Sequence, residues 1–171
     1  IADASIFGFE SANNGNAARG VEFNLPAVPL KAGEFIYITL NKTELEAYFT
    51  YTKDGETVNS LDGKKIYVDY TADINGDDAL ILYKNDIAVD YYGVVGTDGT
   101  GESWEYLDSW AYKDPAASLS FSGGNWYFGE VECTIGSLTT QTSSCIYPFC
   151  DASVFVDKQF EKKIFIYPNP S

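Results

Sequence analysis

The sequence predicts an all-β fold, a sandwich or barrel of short strands with at most one short helix. Three observations carry this. Aromatic residues make up 16% of the 171 residues, mostly as 13 Tyr and 11 Phe; with Val, Ile and Thr, these side chains suit a pleated, half-buried surface. Short apolar runs recur between clusters of Gly, Asn and Asp, the spacing of strands and turns. Helical periodicity surfaces in one place only.

Residues 33–39 alternate Phe35 and Tyr37 with Ile36 and Ile38. Both faces are apolar, so the segment reads as a central strand. Residues 41–49 are the helix: Asn41 or Thr43 would cap it, and Leu45, Tyr48 and Phe49 fall on one face. Residues 65–70 form another strand. Residues 79–83 and 87–95 read as a hairpin, with Lys84, Asn85 and Asp86 as its turn, since Asn and Asp tolerate left-handed backbone. Residues 109–112 and 125–128 are further short strands, and strands at this spacing indicate a sandwich or barrel. Beyond, residues 153–156 and 163–167 flank a polar stretch, and Pro168 and Pro170 begin an extended linker. The chain therefore divides into a domain over 1–152 and a tail over 153–171.

Composition removes several functions. The chain has no His, hence no Ser-His-Asp triad, no Cys-His pair and no His-ligated zinc. A paired-carboxylate hydrolase needs only Asp and Glu and is left open. With 25 acidic and 11 basic residues the net charge is -14. That argues against nucleic acid, whose phosphates require clustered Lys and Arg, and against anionic membranes. It suits cations or polar neutral ligands such as glycans. Charges and Gly interrupt every apolar run before membrane-spanning length, so no membrane insertion is expected. The first residues lack a basic region and a signal core, which fits a removed signal or a start within a larger protein.

Cys133, Cys145 and Cys150 fall in the last quarter of the chain without ligand-spaced pairs. A Cys133–Cys145 or a Cys133–Cys150 disulfide fits an exported protein and would stabilise it by about 3 kcal/mol. Three reduced, buried thiols are the alternative.

Two constellations point to ligands. In Asp73-Ile74-Asn75-Gly76-Asp77-Asp78, the side chains of Asp73, Asn75 and Asp77 stand at alternate positions, as in calcium loops. The match to an EF-hand is poor: Gly is fourth, and Lys84 stands twelfth, where a bidentate Glu is needed. A tight turn whose Asp side chains hold backbone amides is the competing reading. The second constellation follows a Gly-rich run at 96–101: Trp104, Glu105, Tyr106, Asp108 and Trp110. Aromatic faces beside carboxylates are what sugar recognition uses, although the same rings would serve equally as core. Glu105 and Asp108 could also be read as a glycosidase pair.

The residues 75–83, Val89-Asp90-Tyr91-Tyr92-Gly93, Asp98-Gly99-Thr100-Gly101 and 104–112 together resemble the bacterial lamin-tail-like domain. Residues 11–15, 22–27 and 32–37 are similar to its upstream part, and residues 125–128 to its closing part. The resemblance covers about residues 6–130. It implies an immunoglobulin-like β-sandwich that is an accessory module without catalysis. Relatives have a further strand before the point where this chain begins, which would leave an open edge for strand addition and self-association. Residues 163–171 resemble the start of the C-terminal sorting domain of type IX secretion in Bacteroidetes, which implies a secreted or outer-surface location. The expected function is a module that binds a glycan or other surface polymer. A structural or adhesive subunit assembling by strand exchange is the alternative, and a hydrolase using Glu105 and Asp108 the third reading.

Overall fold

The computed structural model describes residues 1–114, 121 and 125–147. The fold is predominantly β, with a single α-helix among the described residues. One four-stranded antiparallel sheet is built from β1 (Phe7–Ala12), β2 (Phe23–Asn24), β7 (Ala79–Lys84) and β8 (Ile87–Tyr92), in the order β2-β1-β7-β8. Three two-stranded ladders accompany it. They pair β3 (Ile36–Thr39) with β6 (Lys65–Val68), β4 (Thr50–Lys53) with β5 (Glu56–Asn59), and β9 (Ala111–Lys113) with β10 (Trp126–Phe128). The expected tail at 153–171, with its sorting-like motif and Cys150, lies outside the described residues, as does the proposed boundary at 152.

The β7–β8 hairpin forms as the turn chemistry dictates. Asn85 and Asp86 both adopt left-handed backbone, with φ of 48° and 61°, the pairing that matches the twist of a two-residue hairpin. The helix α1 (Lys42–Tyr48) is capped by Asn41, whose side chain accepts from the amides of Thr43 and Glu44. Leu45 is its buried residue, and Phe49, the C-cap just beyond it, is buried as well. A second tight hairpin, β4–β5, turns on Asp54-Gly55, both at positive φ. Residues 33–39 are corrected in one respect. β3 is buried throughout, yet among the described residues its ladder is a single parallel pairing with β6 rather than a central place in a sheet. Its apolar faces arise because it runs between two cores: Ile36 and Ile38 join Phe9, Leu25 and Leu30, while Tyr37 joins Leu45, Phe49, Leu61 and Tyr147.

Beside β1 the sheet is extended by the following segment of the chain. β2 pairs there, and Glu22 N–H and Leu25 N–H donate to the carbonyls of Phe9 and Phe7 at 3.1 and 2.9 Å. The segment is tied down by Glu10, a carboxylate with no solvent exposure. Its Oε1 accepts from Arg19 N–H, and its Oε2 accepts from Gly20 N–H at 3.1 Å and from the Tyr83 hydroxyl. A buried carboxylate is tolerated when its lone pairs are met in this way. Removing it leaves three donors unmet, each costing about 1–3 kcal/mol. Glu10→Ala is therefore expected to lower unfolding free energy by about 3 kcal/mol or more in urea melts; a loss below about 0.5 kcal/mol would contradict the role assigned to Glu10.

Candidate ligand-binding face

The β9–β10 ribbon sorts its side chains by alternation. Tyr127 stands opposite Tyr112, Trp126 opposite Lys113 and Phe128 opposite Ala111. Main-chain bonds from Asp114 to Asn125 (2.8 Å) and from Gly129 to Trp110 (2.9 Å) extend the ladder at both ends. Ala111, Trp126 and Phe128 pack inward against the third core cluster, Ile74, Leu80, Tyr92, Trp104 and Tyr106. The opposite face carries Trp110, Tyr112, Tyr127 and, by the same alternation, Asp114.

Those outward rings form a stack. Trp110 and Tyr112 have centroids 5.8 Å apart at 27°, and Tyr112 and Tyr127 have centroids 4.8 Å apart at 24°. Tyr127 ends the stack, 49% exposed, and its hydroxyl donates to Asp114 Oδ2 at 3.1 Å. That carboxylate holds the Tyr127 hydroxyl above the ordinary phenol range, whereas burial is the main cause raising Tyr112.

The stack is braced from behind by a strap over residues 129–147. Trp110 Nε1–H donates to the Cys145 carbonyl at 3.0 Å, and Tyr147 meets the Trp110 ring edge-on. Cys133 and Cys145 lie at disulfide distance, Cα to Cα 5.6 Å, the first of the two pairings expected; Cys150 lies outside the described residues. The strap also grips the preceding loop: Glu132 N–H donates to Leu107 O at 2.8 Å, and Thr134 N–H to Asp108 O at 3.0 Å. A Cβ at Gly129 would lie 2.3 Å from Ser109 Oγ and 3.0 Å from the Trp110 ring, so the strap passes close against both.

The ligand-binding set expected from the sequence divides. Trp104 and Tyr106 are each 3% exposed and offer no face to a ligand; this corrects the expectation for both. Trp104 is buried because glycines make room for it. A Cβ at Gly93 would lie 2.7 Å from the Trp104 ring, and one at Gly99 2.5 Å from it. The Gly-rich loop thus accommodates a core ring instead of an approaching ligand. Glu105 accepts from Gly101 N–H at 2.8 Å and secures that loop. Asp108 adopts left-handed backbone, φ 46°, and its carbonyl anchors the strap. Trp110 alone lies on the stacked face of the ribbon, where it is half-buried against the second core cluster, Tyr37, Leu45, Phe49, Leu61 and Tyr147. Its partners Tyr112, Tyr127 and Asp114 were missed, although period-2 alternation across residues 110–114 was the available signal.

The alternate oxygen ligands of the 73–78 loop divide as well. Asp73 and Asn75 are exposed, while Asp77 is buried. Asp78 is buried beside it and accepts from Asn14 N–H at 2.8 Å and Asn75 N–H at 3.3 Å, the competing turn reading. Among the described residues no group of three or more His, Cys, Asp or Glu side chains is arranged to hold a metal ion. No described helix is long and apolar enough to cross a membrane.

Tyr92 lies at the centre of the inner cluster. Its hydroxyl donates to the Trp104 carbonyl, and its ring meets Trp104, Tyr106 and Trp126 edge-on at 4.8 to 5.8 Å. Burial pushes the Tyr92 and Tyr106 hydroxyls far above the ordinary phenol range. Folded phenols that resist ionisation contribute stability that is complete below the unfolded value near 10 and declines as pH rises past it. Unfolding free energy is expected to stay level in this respect from pH 7 to 9 and to fall above about pH 10. Tyr92→Phe should flatten that fall and lower the neutral baseline by about 1–3 kcal/mol, because the Trp104 carbonyl loses its donor. An unchanged alkaline slope in the variant would contradict this.

No family model matches the chain, and neither a curated protein nor a solved structure matches it.

Proposed function

We propose that the chain is a non-catalytic module of an exported Bacteroidetes protein, of the lamin-tail-like kind its sequence resembles, and that it binds a glycan or other surface polymer on the outward face of the β9–β10 ribbon. The observation that carries this is the Trp110–Tyr112–Tyr127 stack with the Asp114 carboxylate at its exposed end. Ring faces and edges receive the apolar C–H faces of sugar rings, and a carboxylate accepts from sugar hydroxyls. The stack is held on its inner side by packed core and at Trp110 by the strap, so little conformational freedom is lost on binding. The net charge of -14 favours neutral polymers over polyanions. The Cys133–Cys145 disulfide supports passage through an oxidising compartment.

The test is a titration of a polysaccharide panel followed by tryptophan emission, with affinity electrophoresis as the second readout. At least one neutral polysaccharide should change the emission and retard the protein. Tyr127→Ala should weaken that affinity tenfold or more, equivalent to about 1.4 kcal/mol; Tyr127→Trp should preserve it. The proposal fails if no member of the panel binds, or if Tyr127→Ala binds as the wild type does.

A further inference from the structure

A second feature, independent of the ribbon, lies where three loops meet at one end of the four-stranded sheet. Asp77 and Asp78 are consecutive, 6% and 4% exposed, and none of the ion pairs among the described residues reaches either. Two adjacent buried carboxylates without a cation are costly, and such groups neutralise by protonation or hold a cation.

The hydrogen bonds show where the want of positive charge is. Both Asp78 oxygens are met by backbone amides. Asp77 Oδ2 accepts from Thr100 Oγ1 at 3.0 Å, and the Asp77 carbonyl accepts from Gly99 N–H at 3.0 Å. These bonds fix the carboxylate between the 73–78 loop and the 97–100 turn. Asp77 Oδ1 is buried and has no donor. A second buried oxygen without a donor belongs to the same junction: Asn13 Oδ1. The Asn13 amide is seated on the 73–78 loop by donating from Nδ2 to the Asp73 carbonyl at 2.7 Å, and Asn14 N–H holds Asp78. Gly15 closes the junction: a Cβ there would lie 2.7 Å from Asp98 N. Both orphan atoms are acceptors, so neither can satisfy the other; each calls for a hydrogen-bond donor or a cation.

We propose that a hard divalent cation of calcium type binds at this junction, with Asp77 Oδ1 as its anchoring ligand and Asn13 Oδ1 as a second. Main-chain and water oxygens complete such a shell, and calcium accepts six to eight oxygens in a flexible arrangement. The ion supplies the positive charge that the paired carboxylates lack and pins the loops at 13–16, 73–78 and 97–100 together. This ligand set differs from the alternate-position reading of the loop, since Asp73 and Asn75 face solvent and Asp77 does not.

The test uses the full chain at constant ionic strength. Millimolar calcium against chelator should raise the wild-type melting temperature by about 5 °C or more, since a ligand bound only to the native state stabilises it. Terbium should show emission sensitised through Tyr106 and Trp104, displaced by calcium. Asp77→Asn should abolish both effects. Asp86→Asn, which removes one charge at the β7–β8 turn, should keep both. Should Asp77→Asn fail to fold, Asn13→Ala takes its place, with calcium affinity expected to drop at least tenfold. The proposal is overturned if the wild type gives neither a shift nor sensitised emission, which is the outcome for a junction filled by water alone. It is equally overturned if Asp77→Asn retains both effects, or if Asn13→Ala binds calcium as tightly as the wild type.

Discussion

The Tyr92 side chain is the constraint on which the site-bearing half of the structure depends. It stands at the end of β8, and its hydroxyl is bonded to the Trp104 carbonyl. Its ring touches Trp104, Tyr106, Trp126 and Phe121 edge-on. One residue thereby couples the main sheet to the 104–106 loop and to the inner face of the β9–β10 ribbon. Edge-to-face aromatic contacts add about 0.5–1.5 kcal/mol each beyond the apolar area they bury. Because the inner face of the ribbon is committed to this cluster, alternation commits Trp110, Tyr112 and Tyr127 to the outer face. The outward stack is a consequence of the inward packing.

The glycines and the strap complete the arrangement. Gly93 and Gly99 are the spaces into which the Trp104 ring fits, and Gly129 is the space past which the strap reaches Trp110. The strap itself holds few core residues. It is secured by the Cys133–Cys145 bond and by main-chain hydrogen bonds to Leu107 and Asp108. A disulfide is the natural device for a segment that cannot bury enough apolar surface to order itself. Glu10 plays a comparable part at the other side of the sheet, where hydrogen bonds to one carboxylate order a segment of small and polar residues.

Local rules made much of the fold legible. The Asn41 cap, the apolar face of α1, the Asn85-Asp86 turn and the two strands of the ribbon all follow from residue chemistry within a few positions. The β4–β5 hairpin was equally local, since Asp54-Gly55 is a strong turn pair, yet it was passed over because its strands are polar and half exposed. What sequence could not convey was which face of each aromatic segment turns inward. Trp104 and Trp110 stand in similar company along the chain. The first is buried by glycines at 93 and 99, and the second is turned outward by pairing with a strand some fifteen residues on. Such choices are made by long-range register. The parallel β3–β6 pairing and the two cores on either side of β3 are of the same kind, and so was the mistaken central placing of that strand.

Hydroxyl-radical footprinting read by mass spectrometry measures, residue by residue, the division of aromatic side chains between the Tyr92 cluster and the outward stack. Tyr127 should be oxidised readily, with Tyr112 and Trp110 at intermediate rates, while Tyr92, Trp104 and Tyr106 stay protected until the protein unfolds. Oxidation of Trp104 as fast as that of Tyr127 in the native protein would contradict that division.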